Sequence, residues 1–103
     1  MTRAPNPLSL PGAAAHYRST ADFTEASLPA ALRRDHVTKD GAWGLIRVAE
    51  GQLAYRVTDP RREPAELVLT PDAPPGVIEP TMLHHVEPLG PVRFRVEFYR
   101  LPA

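Results

Sequence analysis

Apolar and polar positions alternate most regularly over Val92–Arg100. Val92, Phe94, Val96 and Phe98 fall on one side, and Arg93, Arg95, Glu97 and Tyr99 on the other. Side chains of a strand point alternately to its two faces, so this pattern predicts a strand with one buried and one solvated face. Gln52–Asp59 repeats it, with Leu53, Tyr55 and Val57 opposite Ala54, Arg56 and Thr58. Ala42–Ala49 sets Ile46 and Val48 against Leu45 and Arg47, and Glu50-Gly51-Gln52 between the two runs predicts a hairpin turn. Shorter strands are expected at Glu66–Thr70, Gly76–Pro80 and Leu83–Pro88. They are set apart by the loop Asp59–Pro64, the turn Pro71–Gly76 and Pro80. Six or seven short strands with Gly or Pro turns predict an all-β sandwich or barrel, and the single-faced alternation makes it antiparallel.

Before Leu28 this patterning fails. Residues 1–12 (MTRAPNPLSLPG) read as a Pro-rich N-terminal arm. Ala13–Ala31 offers only a helical turn around Ser19–Ala26, which Pro29 must end. The division expected is an arm and irregular segment over 1–27 and a folded β-domain over 28–103.

With 103 residues the chain has the length of one domain and is too short for a (β/α)₈ barrel. Lys+Arg and Asp+Glu are 12 each and the pI is near 6.9, so the basic surplus that nonspecific nucleic-acid binding uses is missing. There is no Cys, which excludes disulfides, thiolate nucleophiles, iron–sulfur clusters and cysteine-containing zinc sites. No apolar run approaches the ~20 residues of a membrane helix, and the start lacks a signal peptide's apolar stretch. No membrane association and a cytoplasmic location are therefore expected. Thirteen prolines favour short elements joined by rigid turns.

The candidate chemistry lies in the histidines. His16 reads as a surface residue, whereas His36 and the pair His84-His85 lie on or beside strands, 48 residues apart. Without Cys, a metal site must use imidazole and carboxylate, although a strand histidine is more often hydrogen-bonded structure than a ligand. Adjacent strand residues face opposite ways. His84, in step with Val86, is assigned inward, and His85, in step with Glu87, outward to solvent or a subunit contact. Lys39 is an anion-binding cation at a barrel mouth or a turn residue before Gly41, and Trp43 a stacking platform or core packing. Arg47, Arg56, Arg93 and Arg95 form either an oxyanion patch or the solvated face of the sheet.

The segment His36-Val37-Thr38-Lys39-Asp40-Gly41-Ala42-Trp43-Gly44 is followed by Val48, Gly51, Leu53 and Tyr55. Pro80, His84, Val86 and Glu87 come later, then Val96-Glu97-Phe98. Together these residues resemble the TehB/YeaR-like domain family, cupin-type β-barrels that occur alone or ahead of a tellurite-resistance methyltransferase domain. The resemblance covers Leu28–Arg100, about 70% of the chain. It implies a small cupin-like antiparallel barrel of the double-stranded β-helix type and a link to tellurite resistance or stress response. In the metal-binding cupin pattern Thr38 stands where a second histidine belongs. The metal set implied is His36, His84 and Glu97 around a divalent ion (zinc, iron, manganese or nickel), with no other cofactor. Strand parity opposes Glu97, which sits across from the Phe94/Phe98 face unless a bulge intervenes. Lys39, Trp43 and His85 are the expected ligand-binding residues. The function expected is binding of a metal ion, small molecule or oxyanion inside the barrel, in a possible homodimer. The alternatives are a metal-dependent cupin enzyme and a non-catalytic dimeric interaction module.

Overall fold

The computed structural model describes residues 10–102, so most of the expected Pro-rich arm lies outside the described residues. Six strands form one antiparallel sheet: β1 (Ala15–Ser19), β2 (Phe23–Thr24), β3 (Trp43–Val57), β4 (Ala65–Leu69), β5 (Gly76–Ile78) and β6 (His84–Arg100). The order is β1-β6-β3-β4, with β2 also beside β6 and β5 beside β3. The only helical element among the described residues is a 3₁₀ turn at Ala30–Arg33. None of them forms a helix long and apolar enough to cross a membrane.

β3 and β6 make the frame, paired from Trp43 opposite Tyr99 to Val57 opposite His84. The hairpin expected at Glu50-Gly51-Gln52 is absent, because β3 runs through it. Its register slips between Val48 and Glu50 and again between Gly51 and Leu53. Gly51 has φ +80° and Gly90, on the facing stretch of β6, φ +113°. A positive-φ glycine serves a β-bulge as readily as a turn, so the residues that signalled reversal bend the strand instead.

The bulges also explain the faces. On β3 the apolar face passes from even positions (Ile46) to odd ones (Leu53, Tyr55, Val57). On β6 it stays even from Val86 to Val92, Phe94 and Val96. One extra residue on β3 switches parity, and two on β6 preserve it.

Bending brings the two halves of the sheet together. Tyr55, on the half paired with β4, donates its hydroxyl to the Val77 carbonyl at 2.8 Å, on the strand paired with the other half. A Cβ on Gly76 would lie 2.9 Å from both the Tyr55 ring and Leu69, so glycine alone fits there. Tyr55→Phe, which removes one buried hydrogen bond and little volume, is expected to lower the unfolding free energy by about 1 kcal/mol. Urea denaturation checks this, and unchanged stability would show that the hydroxyl does not tie the halves together.

No pairing joins β1 and β2 to β4 or β5 among the described residues, so the sheet is open and not the closed barrel that was expected. The other departure is at the N-terminus, where β1 and β2 replace the irregular stretch and its helical turn. All five β1 residues are exposed, so no buried face marks the strand in the sequence. It is held through its backbone on β6, continued by Thr20 N–H to the Val96 carbonyl at 2.9 Å and Val96 N–H to Thr20 Oγ1 at 3.0 Å.

The loop after β3 is clasped to the segment before β6. Asp59, buried, accepts from the Arg61 backbone and guanidinium and from the Leu83 N–H. Arg61 holds its carboxyl well below the usual carboxylate range. Arg62 makes a two-pronged contact with Glu79 alongside it.

Candidate functional site

The apolar face of the sheet encloses a pocket of about 430 Å³. Ile46, Ile78, Val86, Phe94 and Val96 supply buried apolar walls, and Tyr17, Val37, Arg18 and Lys39 form an exposed rim. Phe23 from β2 packs edge-on against Phe94 at 5.7 Å.

His36 and His84 meet in this pocket because their backbones pair. His36 N–H donates to the His84 carbonyl at 2.9 Å and His84 N–H to the His36 carbonyl at 3.0 Å. The ring centroids are 4.2 Å apart. His84 is 2% exposed, and its Nδ1 lies 2.8 Å from the Met82 carbonyl. His36 Nδ1 lies 2.9 Å from the Arg34 carbonyl. A carbonyl oxygen only accepts, so in each neutral ring the proton sits on Nδ1 and Nε2 carries a bare lone pair. Burial pushes the His84 pKa down to about 4, because the charged form would lose its hydration, and the ring is neutral at pH 7. Thr38 fixes the chain beyond His36 through its hydroxyl on the Glu79 carbonyl at 2.7 Å, which leaves Lys39 at the rim.

Glu97 is elsewhere. It accepts from Arg47 at 2.6 Å, Arg95 at 2.8 Å and the Tyr99 hydroxyl at 3.0 Å, on the face of β6 opposite Phe94 and Val96. Burial raises its pKa, but these donors outweigh that and hold it at about 2. His85 also points away from the pocket, with Nδ1 2.7 Å from Asp35. Trp43 is half-buried at the start of β3, opposite Tyr99, and does not line the pocket. Of the expected site residues the structure thus gathers His36, His84 and Lys39, and leaves out Glu97, His85 and Trp43. The four arginines of the expected oxyanion patch are neutralised: Arg47 and Arg95 by Glu97, Arg56 by Glu66, and Arg93 by Asp22 and Glu50.

Sequence reasoning missed Arg18, Tyr17 and Phe23, which come from the two strands that no periodicity marked. Phe98 was seen only as a core position, yet it lines the pocket under the Arg18 guanidinium, 5.5 Å from its ring centroid.

Residues 18–96 match the family model described as the TehB-like domain. The chain belongs to the TehB-like domain family. Two proteins named "Probable S-adenosyl-L-methionine-dependent methyltransferase TehB", from two strains of Haemophilus influenzae, are 34% and 32% identical to it over 75 residues. Those 75 residues are 72% of this chain and 26% of either relative, so the TehB-like chain spans about a quarter of the length of these curated relatives. The crystal structure of TehB from H. influenzae superposes with a TM-score of 0.79 and 27% identity, over 87% of this chain and 32% of that one. A protein from Escherichia coli K12 shares the fold over 94% of this chain and all of its own length, with a TM-score of 0.82 and 23% identity.

These findings overturn the expected metal-binding cupin. The relatives are named as S-adenosylmethionine-dependent methyltransferases, not as metal-binding proteins. Within this TehB-like chain, no group of three or more His, Asp or Glu among the described residues could hold a metal ion. The physical reason lies in Glu97, the third member of the expected set, which is committed to two arginines and a tyrosine on the other face.

Proposed function

We propose that this TehB-like chain serves S-adenosylmethionine-dependent methyl transfer as the part that receives the small molecule to be methylated. The observation that carries this reading is the pocket itself: apolar walls, a buried neutral imidazole pair at its floor and a cationic rim. Pockets of this size and lining take small organic molecules.

The methyl donor does not fit these residues. S-adenosylmethionine carries a sulfonium and an ammonium, and its ribose diol needs hydrogen-bond acceptors. No Asp or Glu lines the pocket, and its charged side chains are Arg18 and Lys39, which repel cations. The donor site is therefore not assigned to the described residues, and the pocket is read as belonging to the acceptor.

Molecules that co-purify with the chain can be released by denaturation and identified by mass spectrometry. They would then be offered with methyl-labelled S-adenosylmethionine to H. influenzae TehB. Transfer of label to a bound molecule is the expected result. S-adenosylmethionine as the bound molecule, or bound molecules that never take label, would overturn the proposal.

A further inference from the structure

The ion pairs of the sheet leave an uneven field. Arg47, Arg56, Arg61, Arg62, Arg93 and Arg95 each face a carboxylate. Arg18 and Lys39, on the pocket rim, do not: Arg18 rests on the Phe98 ring, and Lys39 has no ion pair among the described residues. The mouth of the pocket is thus positive with nothing local to offset it.

The floor carries the opposite demand. Both Nδ1 atoms are spent on backbone carbonyls, and neither Nε2 meets a donor among the described residues. A buried acceptor left unpaired costs about 1–3 kcal/mol, so an occupant that brings a donor is favoured over one that does not. An ammonium would bring a donor, but it would have to pass Arg18 and Lys39 to reach the floor. A hydroxyl brings one without charge. Between rim and floor lie Phe23, Phe94 and Phe98, which favour an aromatic body. At ~30 Å³ per water the space equals roughly 14 waters, room for one ring with short substituents.

The geometry points to a small hydroxylated aromatic acid as the ligand of this pocket: its hydroxyl donates to the His36/His84 acceptor pair and its carboxylate lies between Arg18 and Lys39. This deepens the acceptor reading above and rests on it for the molecule's fate, though not for its binding.

The test is calorimetric titration of the whole chain with three probes of one shape. They are para-hydroxyphenylpropionate, phenylpropionate, which lacks the hydroxyl, and tyramine, which replaces the carboxylate by an ammonium. The hydroxy acid is expected to bind about tenfold or more tighter than either of the others. Changing the probe and not the protein removes folding as a confounder. Lys39→Gln, on the exposed rim, is expected to narrow the gap between the hydroxy acid and tyramine and to leave the effect of the hydroxyl intact. Equal affinity for the two acids, tyramine bound as tightly as the hydroxy acid, or no binding of any probe would overturn the assignment. Titration reads binding alone and label transfer reads methylation, so failure of this ligand class and failure of the proposed function are separable.

Discussion

Gly51→Ala is expected to lower the unfolding free energy by about 3 kcal/mol, the largest loss we expect from adding a single methyl group. Two independent effects add. The backbone at Gly51 has φ +80°, which a residue with a Cβ adopts at a cost of about 1–2 kcal/mol. The added Cβ would also lie 2.0 Å from the Pro91 carbonyl oxygen and 3.0 Å from the Val92 Cα. Those are backbone atoms of the paired strand and cannot rotate aside, so β3 and β6 must separate locally, as in an overpacked core. Gly90→Ala is the comparison: φ is +113°, but nothing lies within 4 Å of the new Cβ, so only the conformational term applies. Urea unfolding of both variants measures the difference. Gly51→Ala no less stable than Gly90→Ala would show that the facing bulges are not closely packed.

Acidification from pH 6.5 to 4 is expected to remove about 3 kcal/mol of stability through His84 alone, at ~1.4 kcal/mol per pH unit. Burial lowers the folded pKa to about 4 against an ordinary 6.5, outweighing the Met82 carbonyl, which favours the charged ring. The unfolded chain therefore takes up a proton that the folded chain refuses, so the stabilisation is complete above pH 6.5 and is lost as pH falls towards 4. Asp59 and Glu97 act in a different window. Their folded pKa values lie below the ordinary carboxylate range, so their contribution is present above about pH 4 and is lost below it. Unfolding curves at pH 7, 6, 5 and 4 separate the two. His84→Leu is expected to flatten the slope between pH 6.5 and 4; a slope that survives the substitution would remove His84 as its source.

Much of the sheet was legible. The alternation of Val92–Arg100 and Gln52–Asp59 identified β6 and the second half of β3, and both inner faces, because one side of each is buried and the other solvated. The connection between the strands was not legible. A glycine at positive φ between two apolar runs is the same signal whether the chain reverses or bends, and only the partner strand, with Pro91 pressed on Gly51, decides between them. β1 was invisible for another reason: it is held by backbone hydrogen bonds and exposes every side chain, so it leaves no periodic trace.

For the site, parity alone placed His84 inward and His85 outward, as the structure has them. The same argument placed Glu97 on the outer face, against the ligand set that the family resemblance implied, and local periodicity was the sounder guide there. Arg18 could not be found from the sequence, since its role comes from the docking of β1 on β6 and not from its neighbours in the chain.

The long β3–β6 ribbon also sets the order in which the molecule comes together. Val57 and His84 are 27 residues apart along the chain, whereas Trp43 and Tyr99 at the other end are 56 apart. Each doubling of a loop adds only ~0.6 kcal/mol of closure entropy, a small bias but one that favours starting at the short end. Zipping then runs from His84 outward, through the facing bulges, with the slow kinetics of non-local pairing. The imidazole floor is laid down early. Arg18 arrives last, because β1 has nowhere to pair until the far end of β6 is in place.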